Sequence, residues 1–252
     1  MDQNTKHLLR LYVPGIIAFG FLGWMLISLL QNGTDNFTSL TLSISFAFAL
    51  GLICFLRWRV RGRILQLYRQ PNPFTIAEFY RKSMRSTKNG TAMAAYCSAL
   101  AFTLYGHFES ARAELAPIDW EALPPLYQGF ERYSLSLIAL FEIRNHAKAL
   151  ALGREAREMC LVSDVFPGSK ESQAYFDTNI SINRLLIGES APELIAELES
   201  RIAELQSIWP AFPAWALAIH YGGAGDTERT EKYKAIVRGL VPYCKSLNDF
   251  NA

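Results

Sequence analysis

The sequence predicts an all-α protein: an N-terminal transmembrane helical hairpin followed by a solenoid of antiparallel helix pairs. Three observations point there. Two uncharged runs of 20 residues, 11–30 and 37–56, stand side by side near the N-terminus. From residue 75 onward apolar residues recur at helical spacing and no stretch alternates as a strand would. Gly, Pro and Asn breaks divide that second region at near-regular intervals.

The charge distribution separates the two regions. Only 19% of the 252 residues are charged, below the ~25% of soluble domains. The deficit lies in residues 1–56, whose only charges are Asp2, Lys6, Arg10 and Asp35. This pattern excludes a disordered chain and a multi-span transporter.

Each run is long enough for a span, since 20 residues at 1.5 Å cover ~30 Å of bilayer core. Pro14 falls in the first turn of its helix, where a missing N–H costs little. The joining residues 31–36 (QNGTDN) have turn composition. Lys6 and Arg10 precede the first run and Arg57, Arg59, Arg61 and Arg63 follow the second, while the loop carries no Lys or Arg. That asymmetry places both termini in the cytoplasm and makes the chain an integral membrane protein. Ser39, Ser43, Ala47 and Gly51 recur every four residues, so small residues line one face where another helix could approach.

Residues 57–74 form a basic neck and linker. Over 57–88 nine Lys or Arg face one Glu, whereas 89–252 carries 14 basic and 20 acidic residues. Arg57, Arg59, Arg61 and Arg63 suit contact with membrane phosphates; the alternative is a flank that only sets orientation. The acidic body argues against nucleic acid. The Gln70-Pro-Asn-Pro-Phe break ends the neck. Thr75 then stands as N-cap with Glu78 as its capping-box partner, opening a helical body over 75–252.

Within the body the breaks predict helices over 75–87, 91–105, 107–116, 126–143, 146–161, 170–187, 191–208, 211–221 and 227–241. Internal repetition follows. Tyr105-Gly-His-Phe-Glu-Ser-Ala-Arg resembles the interhelical turn of a tetratricopeptide repeat, with Gly106 ending one helix and Phe108 and Ala111 packing the next against it. Residues 144–150 align with that turn 38 residues on, placing Ala149 beside Ala111 and Ala156 at a later small position. Gly225 opens a third such turn, with Thr230 in the Ala position. Arg144 replaces the turn Gly of the second repeat, and no repeat carries the family's full residue set. The alternative is an irregular bundle of helix pairs.

The resemblance implies stacked pairs with an extended concave surface, lined by first helices, that binds a protein partner. Asn179 and Asn183, four apart on one helix, with Arg184 beside them, are the candidate partner groove; the alternative is a solvated polar face.

Signs of chemistry are lacking. The four histidines form no metal-binding spacing, Cys54, Cys97, Cys160 and Cys244 read as thiols, and Gly222-Gly-Ala-Gly lacks the Lys-Ser/Thr of a phosphate loop. The acidic cluster of Glu109, Glu114, Asp119 and Glu121 reads as a solvated face. The expectation is therefore a membrane-anchored scaffold or adaptor with no catalytic residue, cofactor, metal or small-molecule substrate. The alternatives are a subunit of a larger membrane complex docked through its hairpin and, behind it, an enzyme built inside the helical body.

Overall fold

The structure, a computed structural model, describes residues 51, 62–162 and 169–250. The chain divides into two compact units, Met1–Gly62 and Arg63–Ala252. In the first unit only Gly51 and Gly62 are described, each exposed and helical. The expected hairpin, with Ser39, Ser43 and Ala47, and the neck arginines Arg57, Arg59 and Arg61 lie outside the described residues.

The expected integral-membrane placement is corrected here. Among the described residues, no helix is long and apolar enough to cross a membrane. The two most apolar helices are Gly90–Leu104 and Ala211–Gly223. At 1.5 Å per residue the longer spans only about 22 Å, and both are used up in packing within the body.

The described part of the second unit is all-α. Helical residues at 63–68 bury Leu67 and Tyr68 in the body's core, so the compact unit begins before residue 75. Arg63 lies with its guanidinium 5.0 Å from the centre of the Phe79 ring. Helix α1 runs Pro73–Met84. Its cap is Asn72, whose side chain accepts from the Phe74 N–H at 3.0 Å. Pro73 at the first helical position fixes this start, two residues ahead of Thr75, and Glu78 pairs with Lys82 instead of closing a capping box.

Four helix pairs follow. They are α2 (Gly90–Leu104) with α3 (Phe108–Leu115), α4 (Pro125–Phe141) with α5 (His146–Val162), α6 (Ser169–Leu186) with α7 (Pro192–Glu204), and α8 (Ala211–Gly223) with α9 (Thr227–Leu240). A one-turn helix, α10 (Lys245–Asn248), ends the described chain. The α1–α2 turn needs glycine at 90, where a Cβ would meet the Met84 carbonyl oxygen at 1.8 Å.

The turns inside the pairs share a backbone solution. Gly106, Arg144, Gly188 and Gly225 all adopt positive φ, at +80°, +50°, +101° and +76°. After three of them an amide reaches back five residues: His107 to Phe102, Glu189 to Arg184 and Asp226 to Tyr221. That is the Schellman closure of a helix end. At Arg144 the turn is one residue wider, with Asn145 N–H donating to the Ala139 carbonyl. Five residues after the turn position, Ala111, Ala149 and Thr230 are buried against the first helix of their pairs. The third pair has Glu193 there, and α6 and α7 touch each other less than the other pairs do.

First helices form the inner row: α2 packs on α4, and α6 on α8. Aromatic rings tie the row together. Tyr96 stacks on Phe130 at 4.6 Å, Tyr133 lies 5.0 Å from Phe176, Trp209 stacks on Tyr175 at 4.1 Å, and Phe141 lies 5.0 Å from Trp215.

The concave surface expected of an open stack is closed by the C-terminal segment. In an open solenoid each repeat touches only its neighbours. Here α10 packs on both α2 and α8. Ser246 Oγ donates to the Thr103 carbonyl at 2.6 Å, and Arg69 donates to the Gly239 carbonyl at 2.9 Å. Val241, Cys244 and Leu247 supply the apolar face that holds the segment down, each with no exposed surface.

Candidate functional site

The predicted groove residues face inward. Asn179 and Asn183 are 2% and 0% exposed. Asn179 Nδ2 donates to Ser136 Oγ at 2.7 Å, and Ser136 Oγ donates to the Ala149 carbonyl at 2.6 Å. Asn183 Nδ2 donates to the Asn179 carbonyl at 2.8 Å. The three side chains knit α4, α5 and α6 together and present nothing to solvent. Gly153 permits the approach, since a Cβ there would stand 3.0 Å from Asn179 Nδ2. Arg184 lies at the helix end, paired with Glu189 at 2.7 Å. Sequence spacing found the shared face of Asn179 and Asn183; which way that face points depends on α4 and α5.

The acidic cluster is dispersed. Glu114 pairs with Arg81, Glu109 with Arg112 at 3.2 Å, and Asp119 accepts from the Ala122 N–H. Trp120 is buried, with Nε1 donating to the Leu115 carbonyl. Among the described residues no group of three His, Cys, Asp or Glu side chains could hold a metal ion. The Cys97 thiol is pushed up to about 12 by burial, and burial raises Cys244 as well, so both are protonated at neutral pH and poor nucleophiles.

What the fold does assemble is a cleft of about 160 Å³ at the turn end of the inner row. Its apolar walls are Phe108, Phe141, Trp215 and Ile219, and its charged groups are Arg144, Lys245 and Asp249, with the imidazole of His146 beside them. Five separate stretches of sequence meet here: the first two pair turns, Leu186 near the end of α6, the inner face of α8, and the α10 segment. Arg144 belongs to the wide, left-handed turn, and His146 begins α5. Lys245 arrives beside the Gly106 turn, where a Cβ on the glycine would lie 3.8 Å from Lys245 Cβ. His146 Nδ1 is buried with no hydrogen-bond partner. Burial, and after it the charge of Arg144, lowers the His146 pKa, so the ring is neutral at pH 7.

Asp249 is the acidic side chain lining this cleft. Its carboxylate pairs with the Arg144 guanidinium, and its main-chain carbonyl accepts from Trp215 Nε1 at 2.8 Å. The backbone at Asp249 is extended, with φ −90° and ψ 104°. Sequence reasoning did not single out Lys245, Trp215 or Asp249. One sequence cue was present: Val241, Cys244 and Leu247 repeat at a spacing of three, an amphipathic turn after the last long helix.

A second, more open depression of about 420 Å³ lies between α7 and α9. Tyr221 and Tyr233 stack there at 5.8 Å, but both rings are buried. Arg229 donates to Tyr221 Oη and Tyr233 donates to Glu199, while the Lys232 ammonium lies 5.1 Å from the centre of the Tyr233 ring.

Among the described residues the fold is all-α, built of stacked helix pairs, with a cleft at its turn end that carries Arg144 and Lys245. No protein-family model, curated protein or solved structure matches this chain.

Proposed function

We propose that this chain is a non-catalytic, tetratricopeptide-like adaptor whose helical body binds a protein partner at the turn-end cleft. The observation that carries the reading is the convergence of Arg144, His146 and Lys245 over the aromatic walls of Phe108, Phe141 and Trp215. Such a site offers an apolar anchor and charged donors to one short segment of a partner, which is how a few residues come to dominate an interface. The four left-handed turns at one end of the pairs support the likeness to the repeat family. The polar groups of the cleft favour binding over chemistry. Ser246 already donates to a carbonyl and Arg144 to a carboxylate, so neither is arranged as a nucleophile with its base.

The test is binding of the purified full chain to an array of immobilised short peptides varied in charge and apolar content, beside Lys245→Glu. Wild type should capture a subset of peptides and Lys245→Glu should lose them. Capture of no peptide, or the same subset by both proteins, would remove the cleft from the account.

A further inference from the structure

We propose that the cleft recognises an internal acidic residue of a partner segment in extended conformation, and that Asp249 is the chain's own occupant of that position. The inference rests on the partner-binding reading above and specifies what the partner presents.

Asp249 shows what the site accepts. Two donors from different helix pairs meet on one residue. Arg144 takes the side-chain carboxylate, and Trp215 Nε1 takes the main-chain carbonyl at 2.8 Å. A guanidinium on a carboxylate selects charge, and an indole N–H on a carbonyl selects an extended backbone that turns its carbonyl inward. Both contacts are independent of the rest of the ligand, so any extended Asp or Glu can satisfy them. The site around Asp249 remains basic. Lys245 lies in the same cleft as a further cation beside the neutral imidazole of His146, and its ammonium can meet a second negative group.

The Arg144–Asp249 ion pair is exposed enough to be exchanged. Arg144 and Asp249 are 43% and 45% exposed in their side chains, and exposed ion pairs contribute little. Its neighbours are held firmly. Cys244 and Leu247 are fully buried and Ser246 is bonded to α2. A partner residue can therefore replace Asp249 on both Arg144 and Trp215 Nε1, with residues 249–250 giving way while α10 stays in place and keeps Lys245 at the rim. Asp249 then acts as a built-in competitor that sets the affinity threshold of the site.

The experiment uses the full chain and a fluorescently labelled peptide copying residues 247–251, Leu-Asn-Asp-Phe-Asn, acetylated and amidated so that no terminal carboxylate is offered. Anisotropy titrations compare wild type with Asp249→Asn and Asp249→Ala. Removing the competitor should tighten binding by about two- to fivefold, the equivalent of one exposed ion pair. The same peptide with Asn for Asp should bind neither protein. In Arg144→Asp the preference should invert, so that a peptide with Arg at the acidic position binds and the original does not; this gain of binding does not depend on how the Asp249 variants fold. Equal binding of the Asp and Asn peptides, or no tightening in either Asp249 variant together with no inversion in Arg144→Asp, overturns the proposal. If wild type still captures array peptides in a Lys245-dependent way, the acidic-ligand inference alone has failed. If it captures none, the partner reading has failed with it.

Discussion

Inner and outer helices of the same pair are built from different sequence. Inner α8, AFPAWALAIHYGG, has no Asp, Glu, Lys or Arg, and Ala211 through Ala218 are all buried. Outer α9, TERTEKYKAIVRGL, buries Thr230, Tyr233 and Val237 and turns its charges to solvent. A helix that is apolar all round has to be covered all round. In a two-layer stack the inner row would still show one face, and α8 cannot. The covering element is α10, which also reaches α2, where no residue from Ala92 to Leu104 is exposed. The contrast teaches that closure of the stack is written in the composition of α2 and α8 before the closing segment is considered.

Core truncations test this contrast with the largest effects. Leu217→Ala on α8 and Leu247→Ala on α10 both empty fully buried positions and should each cost about 2–5 kcal/mol in chemical denaturation. Ile195→Ala on the outer, partly exposed face of α7 should cost clearly less. If Leu247→Ala proved as mild as Ile195→Ala, α10 would be an appendage and the stack would be open.

The buried amide network comes next. Asn179→Ala removes the buried amide that donates to Ser136 Oγ and accepts from Asn183 Nδ2, and an unsatisfied buried polar group costs about 1–3 kcal/mol. Asn179→Ala should therefore lower the unfolding midpoint while leaving peptide capture at the cleft intact. Loss of capture without loss of stability would return Asn179 to a binding role.

Smaller still is the effect at the turns. Gly188 has positive φ and nothing within 4 Å of its Cβ position, so Gly188→Ala should cost about 1–2 kcal/mol from backbone strain alone. The same measurement on Arg144→Gly should show the strain relief partly offset by loss of the Asp249 pair, with a net change near zero. A large destabilisation in Arg144→Gly would mean that the ion pair is a structural clamp, and Asp249 could not act as an exchangeable occupant.

The pH dependence follows from His146. Its pKa is lowered in the folded chain from the ordinary 6.5, by burial first and Arg144 second. The unfolded chain therefore takes up the proton first as pH falls. Stability should be fully present above about pH 6.5 and decline as pH drops toward the lowered folded value. His146→Gln should flatten that part of the profile in thermal melts run across the range. An unchanged slope would assign the acid sensitivity to other groups.

Much of the body was legible in the sequence because breaks and apolar periodicity are local. The pair helices lie within a few residues of expectation, and Ala111, Ala149 and Thr230 pack where the repeat resemblance placed them. Four features were not legible, two for local reasons and two for tertiary ones. Asn72 replaced Thr75 as cap because Pro73 occupies the first helical position. The helix expected to reach residue 208 ends at Glu204, since Leu205 is extended and Ser207 adopts φ +60° before Pro210. The spacing of Asn179 and Asn183 suits a partner groove or a solvated face, but an amide stripe looks the same in sequence whether it meets a ligand, solvent or Ser136. The cleft was the least visible, because Arg144, Trp215 and Asp249 come together only when residue 249 returns to the turn that follows α4.

Hydrogen exchange on the full chain, with and without the blocked acidic peptide, tests the central claim most directly. Added protection is expected only at amides around 106–108, 144–148, 186, 215–219 and 245–250, the stretches that line the cleft. Protection over α7 and α9 instead, or none at saturating peptide, would contradict it.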